Sequence, residues 1–478
     1  MTLPDGWEMV VGLEVHTELK TNTKMFCGCA NAFGAAANTN VCPVCLGLPG
    51  SLPVLNVRAV ELAMAIGTAL HSTISPSTFH RKNYFYPDMP KDFQISQYDL
   101  PINAGGYLDL PDGSRVSIER AHLEEDTGKS THLGGSGRIH GADRSLVDYN
   151  RSGVPLVEVV SGPDIRSSTQ ARTYAAELRG ILIATGASDG RMEEGSMRID
   201  ANVSVRRSGE PFGTRCEIKN LNSLRSLVRA IDFEAARQVA LLEGGGTVRQ
   251  ETRHWDENLG ATSTMRVKEE ADDYRYFREP DLVDLVPDQA WQDRVRDGLK
   301  PMPAERRAVL TQRLRDPAPA LLDALEVVID LGLDPYVIAA LDAGVDAELA
   351  FARAANEIAS DLVHVDNLSV ESYVATLGME QRGDLSATQA KSVLVEILAN
   401  GGEPLSIAQS KGFERLATGA LSEIVAALIE ENPDEWSRYR GGDEKLAQFF
   451  IGQVMKLTKG QANGKEVIAA LASRRDLR

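Results

Sequence analysis

The chain has 478 residues, 43% of them hydrophobic and 25% charged, with a formal net charge of −17. That length allows roughly two to four domains, the composition is that of an ordinary packed protein, and the net charge argues against broad, nonspecific binding to nucleic acid. Apolar stretches such as 420–429 are too short to span a bilayer, and MTLPDGWEMVVGLEVH lacks the basic and continuous apolar regions of a signal peptide, so a cytoplasmic protein without membrane contact is expected.

The first predicted element is a strand. In GLEVHTELK, Leu13, Val15 and Leu19 alternate with Glu14, His16 and Glu18, the period of a half-buried antiparallel sheet. Next comes C-x-C-x12-C-x2-C, formed by Cys27, Cys29, Cys42 and Cys45, with Gly28 and Pro43 inside the pairs. In a reducing compartment that spacing predicts a tetrahedral zinc, structural because four thiolates leave no open position; two ordinary turns without metal are the alternative. The loop RKNYFYPDMPKDFQISQYD (81–99) and the later DYRYFREPD (273–281) carry Tyr, Phe and Arg able to stack on a base or a terminal adenosine. Loops tied down by aromatic packing explain the same residues equally well.

TGKS at 127–130 is not a P-loop, because the glycine required before it is replaced by Leu123. The Gly-rich run at 134–137 follows no clear strand, which argues against a dinucleotide fingerprint. Helices are predicted over 168–185 and 223–243, the second closed by Gly244-Gly245-Gly246. Between them SMRIDANVSVR alternates again, Met197, Ile199, Ala201, Val203 and Val205 against Arg198, Asp200, Asn202 and Ser204. Cys216 reads as a small core residue. After Pro280–Pro303 the composition turns to Ala, Leu, Glu and Arg at helical spacing, including DAELAFARAANEIASDLVH. A break at Gly401–Pro404 precedes a last helical piece, with helices near 418–430, 442–457 and 464–474. From Arg438 to the end there are nine Lys/Arg against four Asp/Glu, a basic end on an acidic body and a place for nucleic acid; a solvated helical tail explains it as readily.

The candidate chemistry lies on the polar strand faces: Glu14 with His16, then Glu124-Glu125-Asp126, Asp200 with Asn202, and Glu217 with Lys219. Carboxylates beside one His and an amide are a ligand set for Mg²⁺ carrying a nucleotide, with Lys82, Lys91 and Lys219 as candidates to neutralise phosphates. A merely solvated sheet face is the alternative for any single strand; four carboxylate-bearing segments beside Gly, Asn or Arg weigh against it.

At these residues the sequence resembles the GatB/GatE family, whose bacterial members belong to the glutamine-dependent Asp/Glu-tRNA amidotransferase. The stretches that carry the likeness include GLEVHTELKTNTKMFCGC, NTNVCPVCLGLPGSLPVLN, LEEDTGKS, VDYNRSGVPLVEVVS, MEEGSMRIDANVSVR, CEIKNLNS, QETRHWDE and the C-terminal FFIGQVMKLTKGQANGKEV. The resemblance implies an α+β fold: a glutamine-synthetase-like antiparallel cradle over 1–292, a helical domain over 293–403 and a tRNA-contacting tail over 404–478. It implies a ligase that phosphorylates the side-chain carboxylate of Glu-tRNA(Gln) or Asp-tRNA(Asn) with ATP, then amidates it. Ammonia would come from a partner amidase (a glutaminase), clamped by a small subunit into a heterotrimer. The Mg²⁺/ATP centre implied is Glu14, His16, Glu124, Glu125, Asp200 and Glu217. The family's cysteine cluster matches in full. Two other classes stay open at this point: a non-catalytic tRNA adaptor, and a self-sufficient ligase acting on small molecules.

Overall fold

The computed structural model describes residues 3–134, 142–267, 271–413, 418–458, 462 and 464–476. Residues 135–137 of the Gly-rich run, and Lys459, Gly460, Gln461 and Asn463 in the tail, lie outside them. The chain divides into two compact units, Met1–Pro303 and Ala304–Arg478.

The first unit is built on one large sheet. Its strands are β1 (Trp7–Glu18), β2 (Thr73–Ile74), β3 (Phe79–Asn83), β4 (Phe93–Gln97), β5 (Asn103–Ala104), β6 (Tyr107–Asp109) and β7 (Arg115–Glu125). After the separate hairpin of β8 (Lys129–Leu133) and β9 (Arg144–Asp148) come β10 (Pro155–Ser161), β11 (Met197–Arg207), β12 (Cys216–Leu221), β13 (Glu251–Asp256), β14 (Ala261–Val267) and β15 (Phe277–Arg278). The order across the sheet is β14-β13-β12-β11-β1-β10-β7-β4-β3-β15. The earliest strand is therefore central, held by β10 on one side and β11 on the other, with Glu14 opposite Asp200 and His16 opposite Arg198.

Three helices supply the apolar cover. They are α1 (Val57–Ala69), α2 (Ser168–Ala184) and α3 (Leu224–Glu243), and each begins at a side chain that accepts from the first free backbone N–H groups: Asn56, Ser167 and Ser223. Their buried Leu, Ile and Ala residues join Leu13, Val15, Ile199, Ala201 and Val203 in one core, so the alternation read in β1 and β11 separates a helix-covered face from an open polar one. α1 was not expected from the sequence. TGKS leads into strand β8 rather than a helix, so no phosphate-cradling loop forms there.

The sheet departs from a purely antiparallel one at a single described seam. β12 and β13 run parallel, with Glu217 beside Thr252, because α3 crosses over between them. A second irregularity lies on the facing edge of β12. Between the pairs Ile199–Leu221 and Ala201–Ile218, two residues, Lys219 and Asn220, stand opposite Asp200 alone. This is a β-bulge, and Asn220 absorbs it at φ 69°, a left-handed conformation that Asn tolerates better than most side chains.

The second unit is helical. Among the described residues its buried side chains form two separate clusters, one around Val328, Phe351, Tyr373 and Leu394, the other around Val425, Tyr439, Phe450 and Leu471. DAELAFARAANEIASDLVH is not one helix. Ala347–Arg353 is followed by a π-turn over Ala354–Ile358 and a 3₁₀ stretch with non-helical Asp361. At the π-turn the buried Glu357 faces Arg353 at 3.5 Å and Lys391 at 3.3 Å, an ion pairing that side-chain periodicity does not foretell. Among the described residues no helix is long and apolar enough to cross a membrane.

Candidate active site

The open face of the sheet gathers side chains from β1, β7, β10, β11 and β12 along a cleft of about 750 Å³. His16 is the hinge of the arrangement. Its Nδ1 lies 3.4 Å from Glu124 Oε1, and its Nε2 lies 3.9 Å from Asp200 Oδ2. Glu14, one pleat away on β1, accepts a hydrogen bond from Asn202 Nδ2 at 2.8 Å. On β12 the bulge turns Lys219 toward Asp200, with Nζ donating to Oδ2 at 2.5 Å and lying 3.4 Å from Glu217 Oε1. Thr252 donates to the other oxygen of Glu217 at 2.7 Å.

Among the described residues three sets of side chains on this face hold ligand atoms within 4.8 Å of one another: Glu14, His16 and Glu158; His122, Glu124 and Glu158; and Glu14, Asp200 and Glu217. Glu158 links the first two, and Glu14 the first and third. The site is therefore a strip of carboxylates rather than an isolated cluster.

The charges tune one another. Burial disfavours a protonated His16, but the carboxylates of Glu158, Glu124 and Asp200 outweigh it and push the imidazole up to about 9. For Glu124 burial again works against charge, and the His16 hydrogen bond with the charges of Lys82 and His16 holds the carboxyl down to about 2. His122 goes the other way: burial lowers it, so the ring stays neutral, and its Nδ1 is buried without a hydrogen-bond partner. Negative charge is in excess along the strip, and a cation is what such a strip is suited to hold.

The cleft floor adds a second charged network around the buried Asp126. Arg198 Nη2 donates to Asp126 Oδ2 at 2.7 Å, and Arg151 Nε lies 3.7 Å from the same oxygen. Beside it Glu18, desolvated and repelled by Asp126, is pushed up to about 7. At the opposite end Lys82 Nζ sits 4.8 Å above the Tyr274 ring.

Of the residues singled out in the sequence, Glu14, His16, Lys82, Glu124, Asp200, Asn202, Glu217 and Lys219 meet on this face. Glu125 and Lys91 do not. Successive side chains of a strand point to opposite faces, so Glu125 turns away from Glu124, accepts from Ile95 N at 2.8 Å and pairs with Lys91. That pair lines a separate cavity of about 300 Å³ with Phe26, Cys45, Arg81 and Glu279. Sequence reasoning passed over Glu158, His122 and Thr252. The available signal was one Glu inside PLVEVVS, a strand buried throughout.

Cys27, Cys29, Cys42 and Cys45 also converge, their four sulfurs within 4.8 Å of one another. The second pair closes a tight turn in which Leu46 N donates to Cys42 O at 3.1 Å. A hydrogen bond from Cys27 holds the Cys45 thiol down to about 4. Cys216 is a core residue on β12, fully buried.

A family model described as the GatB/GatE catalytic domain matches residues 9–293, and one described as the GatB domain matches residues 339–474. Among relatives, a Streptomyces coelicolor protein named as the B subunit of aspartyl/glutamyl-tRNA(Asn/Gln) amidotransferase is 48% identical over 97% of this chain and 94% of its own length. Proteins of the same name from Frankia casuarinae (49% identical, 98% of this chain, 95% of theirs) and Moorella thermoacetica (46%, 96% and 97%) are similar.

Proposed function

This chain belongs to the GatB/GatE family, and on that premise we propose that it is the carboxylate-activating component of a tRNA-dependent amidotransferase, a ligase serving protein synthesis in the cytoplasm. The observation that carries the reading is the strip of carboxylates, with His16 at its centre and Lys82 and Lys219 beside it, on the open face of a large sheet. A glutamine-synthetase-like cradle is the fold this arrangement fits.

The chemistry follows from the substrate. A carboxylate attached to tRNA resists ammonia, because oxide would have to leave. Transfer of the γ-phosphoryl group of ATP to a carboxylate oxygen gives an acyl phosphate and ADP; ammonia then attacks the carbonyl carbon, phosphate leaves, and the amide of Gln-tRNA(Gln) or Asn-tRNA(Asn) remains. The protein's part in such a transfer is positioning and charge stabilisation. Lys82 and Lys219 neutralise phosphate oxygens, and Arg198 and Arg151 frame the cleft floor. The hard oxygens of Glu14, Asp200 and Glu217, with Glu158, Glu124 and His16 adjoining, fit Mg²⁺, which supplies neutralisation of the phosphate charge. The four convergent cysteines fit a structural Zn²⁺.

No amidase signature stands out in this sequence, so ammonia would come from a partner glutaminase, with a small clamp protein completing a heterotrimer. The basic C-terminal end suits the body of the tRNA.

The test is ATP-dependent amide formation on Glu-tRNA and Asp-tRNA by the assembled complex, comparing wild type with Glu14→Gln and Glu217→Gln. Both variants should bind tRNA normally and lose phosphorylation. Full activity in both would remove the carboxylate strip from the mechanism.

A further inference from the structure

A second cavity, of about 370 Å³, adjoins the carboxylate cleft and is lined by Asn83, Tyr84, Phe85, Tyr86, Asp273 and Tyr274. Tyr84 and Tyr274 also line the larger cleft, so the two spaces share a wall. Of the three consecutive aromatics in this turn, Tyr84 is half-buried and Phe85 and Tyr86 are exposed. Phe85 is 68% exposed and Tyr86 42%. The turn is nonetheless fixed. Tyr84 N donates to Asp92 O at 3.0 Å and Met89 N to Tyr86 O at 2.9 Å, while the Tyr84 and Tyr86 rings stack at 4.6 Å and 19°. Asn83 Nδ2 ties the turn to the facing loop through Tyr274 O (2.9 Å) and Arg275 O (2.8 Å). Lys82 stands at the shared wall, over the Tyr274 ring.

Flat aromatic walls beside a phosphate-handling cleft are a stacking platform for a base. The acidic Asp273 on the same wall narrows the choice, because a carboxylate accepts from an exocyclic amine and repels a carbonyl oxygen. We propose that this cavity is a subsite for an adenine base, held by stacking on the 84–86 turn and by its amino group against Asp273. The inference rests on the activation reading above, in which each substrate brings an adenine close to the reacting groups: that of ATP, and the 3′-terminal adenosine of the aminoacyl-tRNA.

The test uses the assembled complex and the variants Phe85→Ala and Asp273→Asn, the first at an exposed side chain whose removal leaves the core intact. Phe85→Ala should raise the KM of one substrate by on the order of tenfold while kcat holds. A rise for ATP assigns the base to the nucleotide, and a rise for Glu-tRNA assigns it to the terminal adenosine. For that substrate, wild type should discriminate against hypoxanthine in place of adenine, and Asp273→Asn should lose the discrimination. Unchanged KM values for both substrates in an actively amidating complex would overturn the subsite and leave the activation reading standing. So would a rise traced by gel filtration to weaker assembly with the partner proteins, the result a protein-docking surface would give. Equilibrium binding of ATP and of a CCA-ended RNA hairpin, measured without turnover, separates the opposite case: weaker binding in Phe85→Ala supports the subsite even if no amide forms.

Discussion

Glu124 and Glu125 are neighbours in sequence and belong to different environments: Glu124 lies 3.4 Å from His16 in the carboxylate strip, while Glu125 is paired with Lys91 on the other face of the sheet. Glutamine at each position should therefore give two distinct phenotypes. Glu124→Gln, which leaves His16 the carboxylates of Glu158 and Asp200, should lose ATP-dependent activation at temperatures where the protein stays folded. Glu125→Gln should lower stability by about 3–5 kcal/mol, the usual cost of stranding a buried charge, because the Lys91 side chain is only 6% exposed. Thermal melts alongside single-turnover phosphorylation check both; a swap of the two phenotypes would reverse the assignment.

Thr252 reaches the site only through Glu217, to which it donates at 2.7 Å while itself buried. Outer partners of this kind orient ligands, and their loss commonly weakens metal binding by about 10–100-fold. Thr252→Val should raise the Mg²⁺ concentration needed for half-maximal activity by on the order of tenfold, with little change at saturating Mg²⁺. Thr252→Ser should restore the wild-type requirement. Equal damage from both substitutions would assign Thr252 to packing alone.

Glu18 gives a pH signature with a definite sign. Its carboxyl rises from an ordinary 4.5 to about 7 in the folded chain, through desolvation and the nearby Asp126. The folded state thus holds this proton more tightly than the unfolded state, and stability should fall as pH rises from about 4.5 to about 7. The contribution is on the order of 3 kcal/mol. Glu18→Gln should be more stable than wild type above neutral pH and flatten this part of the melting-temperature profile. A profile unchanged by the substitution would exclude Glu18 as the source.

The cysteine cluster should bind one Zn²⁺ per chain by elemental analysis, and a strong chelator should lower the melting temperature. Cys45→Ser should do the same without chelator. Because the cluster lies off the carboxylate face, amidation by protein that remains folded should survive. Metal-free protein with an unchanged melting curve would make the four thiols a pair of plain turns.

Much of this site was legible in β1 and β11, where strict alternation placed Glu14, His16, Asp200 and Asn202 on a single face, and the strands proved to be adjacent. Glu158 was not legible, because β10 is buried throughout and carries no alternation to separate its two faces. His122 and Thr252 were missed for another reason: each matters through a neighbour contributed by a different strand, and pairing is a long-range fact. The sign of the Glu124/Glu125 choice also waited on the register of β7 against β10. The π-turn at Ala354–Ile358 hid behind a good helical pattern, since periodicity does not report where a buried Glu must find its cations.

The central position of β1 also bears on how the protein is made. Glu14 and the Asn202 that holds it are 188 residues apart, and neither neighbour of β1 in the sheet exists until β10 and β11 have been synthesised. At about 5–20 residues per second β11 follows β1 by about 10–40 s, and until then the first strand has at least one unpaired edge. A ribosome-bound chain stalled before residue 207 should therefore engage holding chaperones, and release them only once β11 closes over its partner.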